Sequence, residues 1–102
     1  MTWQKLARLD DIPDDAPLET GTQARPLALY RVEGRVFCTE NLCTHAEAFL
    51  SDGYLEGHEI ECPLHGARFD IRTGRVLCQP AAKDIAVFPV RVDGDDVLVD
   101  LP

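Results

Sequence analysis

The chain is predicted to fold as one small all-β domain. Its apolar residues fall into short alternating runs separated by Gly, Pro and Asp, which is the pattern of strands joined by tight turns. Hydrophobic residues make up 45% of the 102 residues, enough for a modest core and too many for a disordered segment. No repeat, low-complexity tract or linker divides the chain, so a single domain is expected over residues 1–102.

The predicted strands follow one another at short intervals. In chain order they cover residues 3–9, 27–32, 36–39, a strand pair over 55–61, 68–71, 75–77, 85–92 and 96–101. Tight turns are expected where glycine falls between two such runs, at Gly34, Gly57, Gly74 and Gly94. Residues 10–17 form an acidic, proline-containing loop, and residues 46–50 make the one predicted helical turn, which Gly53 ends. Pro89 lies inside an alternating run, which predicts an edge position or a bulge.

The charge balance limits the possible partners. The chain has 10 Lys and Arg against 18 Asp and Glu, a net charge of -8, which argues against nucleic acid or an anionic membrane as partner. It contains no apolar run near the roughly 18 residues that a membrane span needs, and no basic-then-apolar N-terminal segment. We therefore expect a cytoplasmic protein that binds neither membranes nor nucleic acid.

Two Cys-His pairs are candidate metal ligands. Cys43 and His45 form a C-x-H pair, and after a gap of sixteen residues Cys62 and His65 form a C-x-x-H pair. Each pair follows a predicted strand, so two facing loops could bring all four side chains to one metal centre. Two Cys and two His fit either a tetrahedral zinc site or a 2Fe–2S cluster in which two His replace two Cys on one iron.

The residues around these pairs suit loops that wrap a metal centre. Pro63 restricts the backbone, and Gly66 permits a sharp turn just after His65. Backbone N–H groups in such loops can stabilise the negative charge of a cluster. Pro80 could close a third loop over the site, although a plain strand-ending turn fits it equally well.

The other Cys and His residues are predicted not to be ligands. Cys38 and Cys43 have the C-x4-C spacing that opens a plant-type ferredoxin motif, but Ala46 stands where the next Cys is required. We expect Cys38 and Cys78 to be free thiols that behave as small apolar side chains. His58 is interpreted as an ordinary surface or core residue.

With its C-x-H and C-P-x-H-G motifs, the chain resembles the Rieske-type 2Fe–2S ferredoxins of bacterial aromatic-ring-hydroxylating dioxygenase systems, of the biphenyl and naphthalene type. The resemblance covers essentially the whole chain and is carried by residues 41–45, 51–57, 60–70 and 73–80. It implies the Rieske fold, in which an antiparallel β-sandwich base carries a small cluster-binding subdomain. The cluster-binding loops would lie within about residues 40–81.

The resemblance also implies a role for each ligand. Cys43 and Cys62 would bind the inner iron of one 2Fe–2S cluster, and His45 and His65 would bind the outer iron through one ring nitrogen each. Neutral imidazoles in place of two thiolates lower the negative charge of the cluster, so an electron is easier to add and settles on the His-bound iron.

The chain departs from the high-potential Rieske proteins of respiratory complexes. Those proteins carry an additional Cys in each ligand loop, at the positions of Ala48 and Leu64, and these two Cys form a disulfide. They also have Ser and Tyr hydroxyls that donate hydrogen bonds to sulfur, where this chain has Ala67 and Phe69. Losing donors to an anionic centre destabilises its reduced state. We therefore expect a low midpoint potential, near the lower end of the roughly −150 to +300 mV Rieske range.

By resemblance the protein is an electron carrier and not an enzyme. No nucleophile–base pair or phosphate-binding loop is evident in the sequence. Single electrons would pass from an NADH-dependent flavoprotein ferredoxin reductase to a terminal Rieske non-haem iron oxygenase that dihydroxylates an aromatic ring. Docking is expected to be brief, around the two His ligands and Glu47, Leu64 and Pro80, with the carrier a monomer.

Three other interpretations fit the same residues. A Rieske-type subunit of nitrite reductase would have these ligands but a sirohaem partner. A redox-sensing module would need a partner whose binding changes with oxidation state. A structural zinc domain would use the same four side chains with no redox activity.

Overall fold

The structure is a computed structural model that describes residues 2–43, 48–64, 66–78 and 83–102. Its strands are β1 Thr2–Arg8, β2 Leu18–Gly21, β3 Pro26–Val32, β4 Arg35–Glu40, β5 Tyr54–Glu56, β6 Glu59–Glu61, β7 Arg68–Asp70, β8 Val76–Cys78, β9 Val87–Phe88, β10 Val90–Asp93 and β11 Asp96–Leu101. Two short 3₁₀ helices, at Leu9–Asp11 and Leu50–Asp52, are the only helical elements in the described part of the chain. The all-β prediction is confirmed.

The strands form three small antiparallel sheets. The first sheet has the order β1-β11-β10, and the second has the order β2-β3-β4-β9. The third sheet, β5-β6-β7-β8, is built from strands that are consecutive in the chain. The second candidate ligand pair falls between β6 and β7, inside the third sheet. The first pair falls between β4 and β5, where the chain crosses from the second sheet to the third.

Strand β3 separates two hydrophobic cores. Leu27 and Leu29 pack into the first core, whereas Ala28 and Tyr30 pack into the second. Because both faces of β3 are covered, its sequence is a continuous apolar run and not an alternating one. The first core lies between the first two sheets and includes Ile12, Cys38, Val97, Val99 and Leu101. The second core lies on the side of the third sheet and includes Cys43, Cys62, Ala67 and Phe69.

The β3–β4 hairpin shows how turn residues set the register. Val32 lies opposite Arg35, so two residues form the turn. Glu33 has φ 53° and Gly34 has φ 77°. Positive φ at both central residues is the type I′ geometry that suits the twist of paired strands. The predicted turn at this position is confirmed.

Most predicted strands are confirmed to within one or two residues at their ends, but β2 was not predicted. Leu18–Gly21 contains one apolar residue, so it shows no alternating apolar run. Its extended geometry comes from pairing with β3, in which Leu18 lies opposite Leu29. Tertiary pairing therefore overrides a weak local preference here.

Pro89 marks the point where the chain changes sheets. β9 pairs with β4 in the second sheet, whereas β10 pairs with β11 in the first. Both are edge strands, which agrees with the predicted edge position of a residue that has no N–H to donate. The C=O of Pro89 accepts a hydrogen bond from the N–H of Asp100 at 3.0 Å, which ties this crossing to β11.

The helical segments are short, and one lies later than predicted. Of the predicted turn over 46–50, residues 46 and 47 lie outside the described residues. Ala48 and Phe49 are non-helical, and the 3₁₀ helix runs over Leu50–Asp52, directly before Gly53. The prediction is wrong because Phe49 is held in a bridge with Leu42. No helix within the described ranges is long and apolar enough to cross a membrane.

Candidate metal centre

Two loops that are closed by the same backbone hydrogen bond carry the predicted ligands. Loop 1 (residues 43–48) is closed by the N–H of Cys43, which donates to the C=O of Ala48 at 2.9 Å. Loop 2 (residues 62–67) is closed by the N–H of Cys62, which donates to the C=O of Ala67 at 2.7 Å. Each loop therefore begins with a predicted Cys ligand whose backbone position is fixed by a hydrogen bond across the loop.

The stem of loop 1 depends on a buried polar side chain. Asn41 is fully buried; its Nδ2 donates to Ser51 Oγ at 2.9 Å, and its Oδ1 accepts the N–H of Ser51 at 2.8 Å. The C=O of Asn41 accepts the N–H of Leu50 at 2.7 Å. Between this point and the loop, Leu42 and Phe49 pair in an isolated bridge. Neutral hydrogen bonds outside any sheet thus hold the stem of loop 1.

The stem of loop 2 is part of the β6–β7 ladder and is flanked by charged groups. Glu61 lies opposite Arg68 in the register. Arg68 Nη2 is 2.9 Å from the Glu61 carboxylate, and Nη1 is 3.7 Å from that of Glu59. The hydrogen bond to Glu61 raises the pKa of Arg68. Loop 2 is thus held by a sheet and by ion pairs that water partly screens.

The two Cys side chains meet between the loops. Both are buried in the second core, and neither is in a disulfide. Burial and the neighbouring Cys43 side chain raise the pKa of the Cys62 thiol to about 11. A bound metal ion has to displace the thiol protons to gain its ligands. Two sulfur donors from separate loops at one buried point fit an iron–sulfur centre.

The other predicted site residues fall into two groups. His45, Glu47, His65 and Pro80 lie outside the described residues, so their assignments stay predictions. Leu64 is described, and it is 45% exposed in the middle of loop 2. Within the described ranges no group of three or more potential metal-ligating side chains comes together. The described part of the chain therefore brings together two of the four predicted ligands.

Comparison with known families decides which kind of metal centre this is. Residues 2–89 match the family model of the Rieske [2Fe-2S] domain. The chain belongs to the Rieske family. It carries one Rieske-type 2Fe–2S cluster, and the alternative of a structural zinc site is set aside.

Relatives of this Rieske protein are ferredoxins of dioxygenase systems. The ferredoxin component of a naphthalene 1,2-dioxygenase system from Pseudomonas aeruginosa is 48% identical over 99 residues, which are 97% of this chain and 95% of that protein. The Sphingomonas yanoikuyae B1 ferredoxin has a TM-score of 0.93 and 39% identity, and the match covers 99% of this chain and 100% of that one. A chain in the structure of a complex of reduced oxygenase and oxidized ferredoxin in carbazole 1,9a-dioxygenase matches with a TM-score of 0.89 and 38% identity. The match covers 95% of this chain and 91% of that one. The predicted family and the Rieske fold are confirmed.

The surroundings of the Rieske centre are apolar at the two positions that the low-potential prediction uses. Ala67 and Phe69 are both fully buried in the second core. In the register of the third sheet, Phe69 lies opposite Ile60 on one side and Val76 on the other. Neither Ala67 nor Phe69 has a side-chain donor, so neither brings a hydroxyl to the second core.

Cys38 and Cys78 are both free thiols, but their surroundings differ. Cys38 is buried in the first core, and burial raises its pKa to about 12, so its predicted apolar role is confirmed. Cys78 is exposed, and its Sγ donates a hydrogen bond to the C=O of Gly66 at 3.7 Å. The predicted apolar role is wrong for Cys78, because β8 is an edge strand and the end of this strand faces water.

His58 packs as a structural residue. Its ring lies edge-on to Phe37, with ring centroids 5.7 Å apart and an interplanar angle of 87°. Its C=O accepts the N–H of Ile71 at 2.9 Å. The contact joins the third sheet to β4, in agreement with the interpretation of His58 as an ordinary packed residue.

Three residues that shape the site were not predicted from the sequence. Asn41 and Ser51 hold the stem of loop 1, but a side-chain hydrogen bond between residues ten apart leaves no sequence pattern. At Gly53, a Cβ atom would overlap the carbonyl oxygen of Glu61, the residue before Cys62. The chain leaving loop 1 therefore passes directly against the chain entering loop 2. A glycine between the two ligand pairs is the one sequence signal for this contact.

Proposed function

We propose that this Rieske protein is the ferredoxin of an aromatic-ring dioxygenase system. It takes single electrons from an NADH-dependent flavoprotein ferredoxin reductase and delivers them to a terminal Rieske non-haem iron oxygenase. The observation that carries this proposal is the near full-length similarity to the ferredoxin component of a naphthalene 1,2-dioxygenase system. The matched ferredoxin in the complex of reduced oxygenase and oxidized ferredoxin supports the choice of an oxygenase as electron acceptor.

The proposed ligands are Cys43, His45, Cys62 and His65. A bound 2Fe–2S cluster accepts and releases one electron. The meeting of two buried thiols from separate loops supports the assignment of Cys43 and Cys62 to one iron. The assignment of His45 and His65 to the other iron rests on the C-x-H and C-x-x-H spacing of the family.

The chain around the cluster favours a low potential. Ala67 and Phe69 bury apolar side chains where hydroxyl groups would stabilise added negative charge. The second core also keeps water away from the two Cys side chains, which are both buried. The proposed midpoint lies near the lower end of the roughly −150 to +300 mV Rieske range, which suits a donor to an oxygenase.

Partners are proposed to dock on the tips of the two loops. Leu64 offers an exposed apolar side chain in loop 2, one residue from the proposed ligand His65. Glu47 and Pro80 complete the proposed docking surface. Docking is brief because a shuttling carrier has to leave each partner, so a small interface is sufficient. The carrier is proposed to be a cytoplasmic monomer that binds neither membranes nor nucleic acid.

A pair of matched substitutions tests the docking surface. Leu64→Glu is expected to slow reduction of the oxygenase by roughly tenfold, because a charge replaces an apolar contact at the interface. Val92→Glu is the control, since Val92 is 43% exposed against 45% for Leu64 but lies on β10 in the first sheet. Both variants should keep the cluster spectrum. Equal transfer rates in the two variants would remove Leu64 from the docking surface.

Reconstitution tests the function itself. Purified protein is mixed with NADH, a flavoprotein ferredoxin reductase and a naphthalene-type oxygenase, and formation of the aromatic cis-diol is measured. Diol formation that depends on this protein is the expected result. A protein that the reductase reduces but that never reduces any oxygenase of this class would contradict the proposal.

A further inference from the structure

Asn41 is a polar residue buried inside an apolar region, and all of its hydrogen-bonding groups are used. Besides the two side-chain bonds to Ser51 and the bond from Leu50 to its C=O, its N–H donates to the C=O of Pro26 at 3.0 Å. Asn41 therefore joins the end of β4 both to β3 and to the chain that returns from loop 1. Such a fully satisfied buried side chain holds one geometry strongly, since any partial opening leaves a donor or acceptor unpaired.

Three successive contacts across the stem of loop 1, here called rungs, hold its two chain segments together. The bonds of Asn41 form the rung farthest from the loop. The next rung is the bridge between Leu42 and Phe49, and the last is the hydrogen bond from Cys43 to Ala48. Leu42 and Phe49 are 44% and 40% exposed, so the middle rung buries little apolar surface. The rung at Asn41 adds two partly buried side-chain bonds to a residue that is itself fully buried.

The connection of loop 1 makes this rung necessary. Loop 1 joins β4 in the second sheet to β5 in the third, so the isolated bridge and the backbone bonds of its stem belong to no sheet. Loop 2 joins the paired strands β6 and β7, whose register reaches Glu61 and Arg68. An opening of the stem would therefore occur more readily at loop 1 than at loop 2.

We propose that Asn41, together with Ser51, is a positioning residue for the metal centre. The pair fixes where loop 1 presents Cys43 to Cys62, and it thereby controls how tightly the cluster is kept and how far water reaches it. This inference rests on the proposed ligand roles of Cys43 and Cys62. Asn41 itself lies two residues before Cys43 and acts through the backbone.

Three variants of the cluster-loaded protein test the proposal. Asn41→Ala removes both side-chain bonds, whereas Ser51→Ala removes the hydroxyl and keeps the N–H bond to Asn41. Thr39→Val is the matched control, because Thr39 is also fully buried and its Oγ1 is 2.9 Å from the Tyr30 hydroxyl. Thr39 lies in β4 but holds neither ligand loop. All three variants should lower the thermal unfolding temperature.

The readouts are iron release to a chelator, the EPR spectrum of the reduced protein and its midpoint potential. Iron release is expected to be on the order of tenfold faster in Asn41→Ala, which corresponds to a loss of about 1.4 kcal/mol for the two side-chain bonds together. Ser51→Ala should show a smaller change in the same direction. Both should shift the EPR spectrum and raise the midpoint, because water reaching the cluster stabilises the reduced state. Thr39→Val should leave all three readouts as in the wild type.

Two results would overturn the proposal. One is a Ser51→Ala protein that folds with unchanged iron release, EPR spectrum and midpoint, and this result decides the matter if Asn41→Ala does not fold. The other is a Thr39→Val protein with the same changes, because these would then follow from lost stability alone. Failure of the proposed function is distinguishable, since it would be seen in the wild type as a loaded protein that reduces no oxygenase.

Discussion

Loop 1 and loop 2 are closed by the same backbone hydrogen bond but are held by different kinds of stem. In each loop the N–H of the Cys donates to the carbonyl of the residue five positions later. Below loop 1 the chain is held by the neutral side chains of Asn41 and Ser51. Below loop 2 it is held by the β6–β7 ladder and by the ion pair of Arg68 with Glu61.

The difference follows from how the chain enters and leaves each loop. Loop 2 connects two neighbouring strands of one sheet, so its stem is a hairpin that forms from local contacts. Loop 1 connects two different sheets, so its stem requires tertiary contacts that form only when the sheets have packed. Two similar Cys-His motifs can thus be held in place by different contacts. Substitutions in the two stems should therefore differ in their effects on stability and on cluster binding.

The largest effect is expected from removing either Cys thiol. The loss of cluster binding should be equal for the two loops. Cys43→Ser and Cys62→Ser should each abolish cluster binding, because each loop supplies one of the two soft sulfur ligands. Analysis of iron and acid-labile sulfide in the purified variants measures the loss. Cys78→Ser is the control and should keep a full cluster, since Cys78 is an exposed free thiol. A full cluster in either ligand variant would contradict the assignment.

The next effect is expected where the chain that leaves loop 1 touches the chain that enters loop 2. Gly53→Ala should destabilise the protein by about 1–3 kcal/mol and lower its cluster content, because the added methyl group overlaps the carbonyl of Glu61. Chemical denaturation and iron analysis measure the two losses. Gly57→Ala is a control in the β5–β6 hairpin: its added Cβ meets nothing within 4 Å, although φ of 58° makes it cost roughly 1–2 kcal/mol. Full cluster content in Gly53→Ala would show that this contact does not position the loops.

A hydroxyl group added beside loop 2 should change the midpoint potential of the cluster and leave the fold intact. Phe69→Tyr is expected to raise the midpoint potential by roughly 65–130 mV, because a hydrogen bond to a charged centre is worth about 1.5–3 kcal/mol. A redox titration of the variant measures the shift. Phe69→Leu is the control, since it changes the packing without adding a donor. A midpoint that falls or stays constant in Phe69→Tyr would count against the low-potential account.

The smallest effect is expected from the charges near loop 2, and it depends on pH. The hydrogen bond from Arg72 lowers the pKa of Asp70, so the carboxylate stabilises the folded state above the unfolded pKa of about 4. This contribution is lost as the pH falls through the folded pKa. Asp70→Asn keeps the oxygen that accepts the N–H of Arg72 and removes the charge. It should lower the unfolding temperature by a few degrees at most at pH 7.

The difference between Asp70→Asn and the wild type should shrink as the pH falls below about 4, because the wild-type carboxyl then also becomes neutral. For Ser51→Ala, in the neutral stem of loop 1, the difference in unfolding temperature from the wild type should not depend on pH. Thermal unfolding of the three proteins between pH 7 and pH 3 makes the comparison. Equal pH dependence of the two variants would contradict a contribution from the charge of Asp70.

The hairpins and the ligand pairs could be predicted from the sequence because their determinants are local. Gly34 and Gly94 each lie between two runs rich in apolar residues, and the observed turns fall where predicted. Cys43 and Cys62 are recognisable by their spacing to the following His residues. The structure adds that both side chains are buried in the second core.

Other features could not be predicted because they depend on which elements come together. β2 is extended only because β3 lies beside it, and the bond between Asn41 and Ser51 forms only after the chain has returned from loop 1. Cys78 follows two apolar residues, yet it is exposed because no further strand pairs with β8 in the described sheet. A proline at position 89 signals a break in a strand but not a transfer between two sheets.

A redox titration of the purified protein, followed by EPR, tests the central claim most directly. The claim is that two loops hold a mixed Cys and His 2Fe–2S cluster as a low-potential one-electron carrier. The predicted result is a one-electron transition near −150 mV, at the low end of the Rieske range, with the EPR signal of a mixed-ligand cluster in the reduced protein. A midpoint well above zero, or a protein without a reducible cluster, would contradict the account.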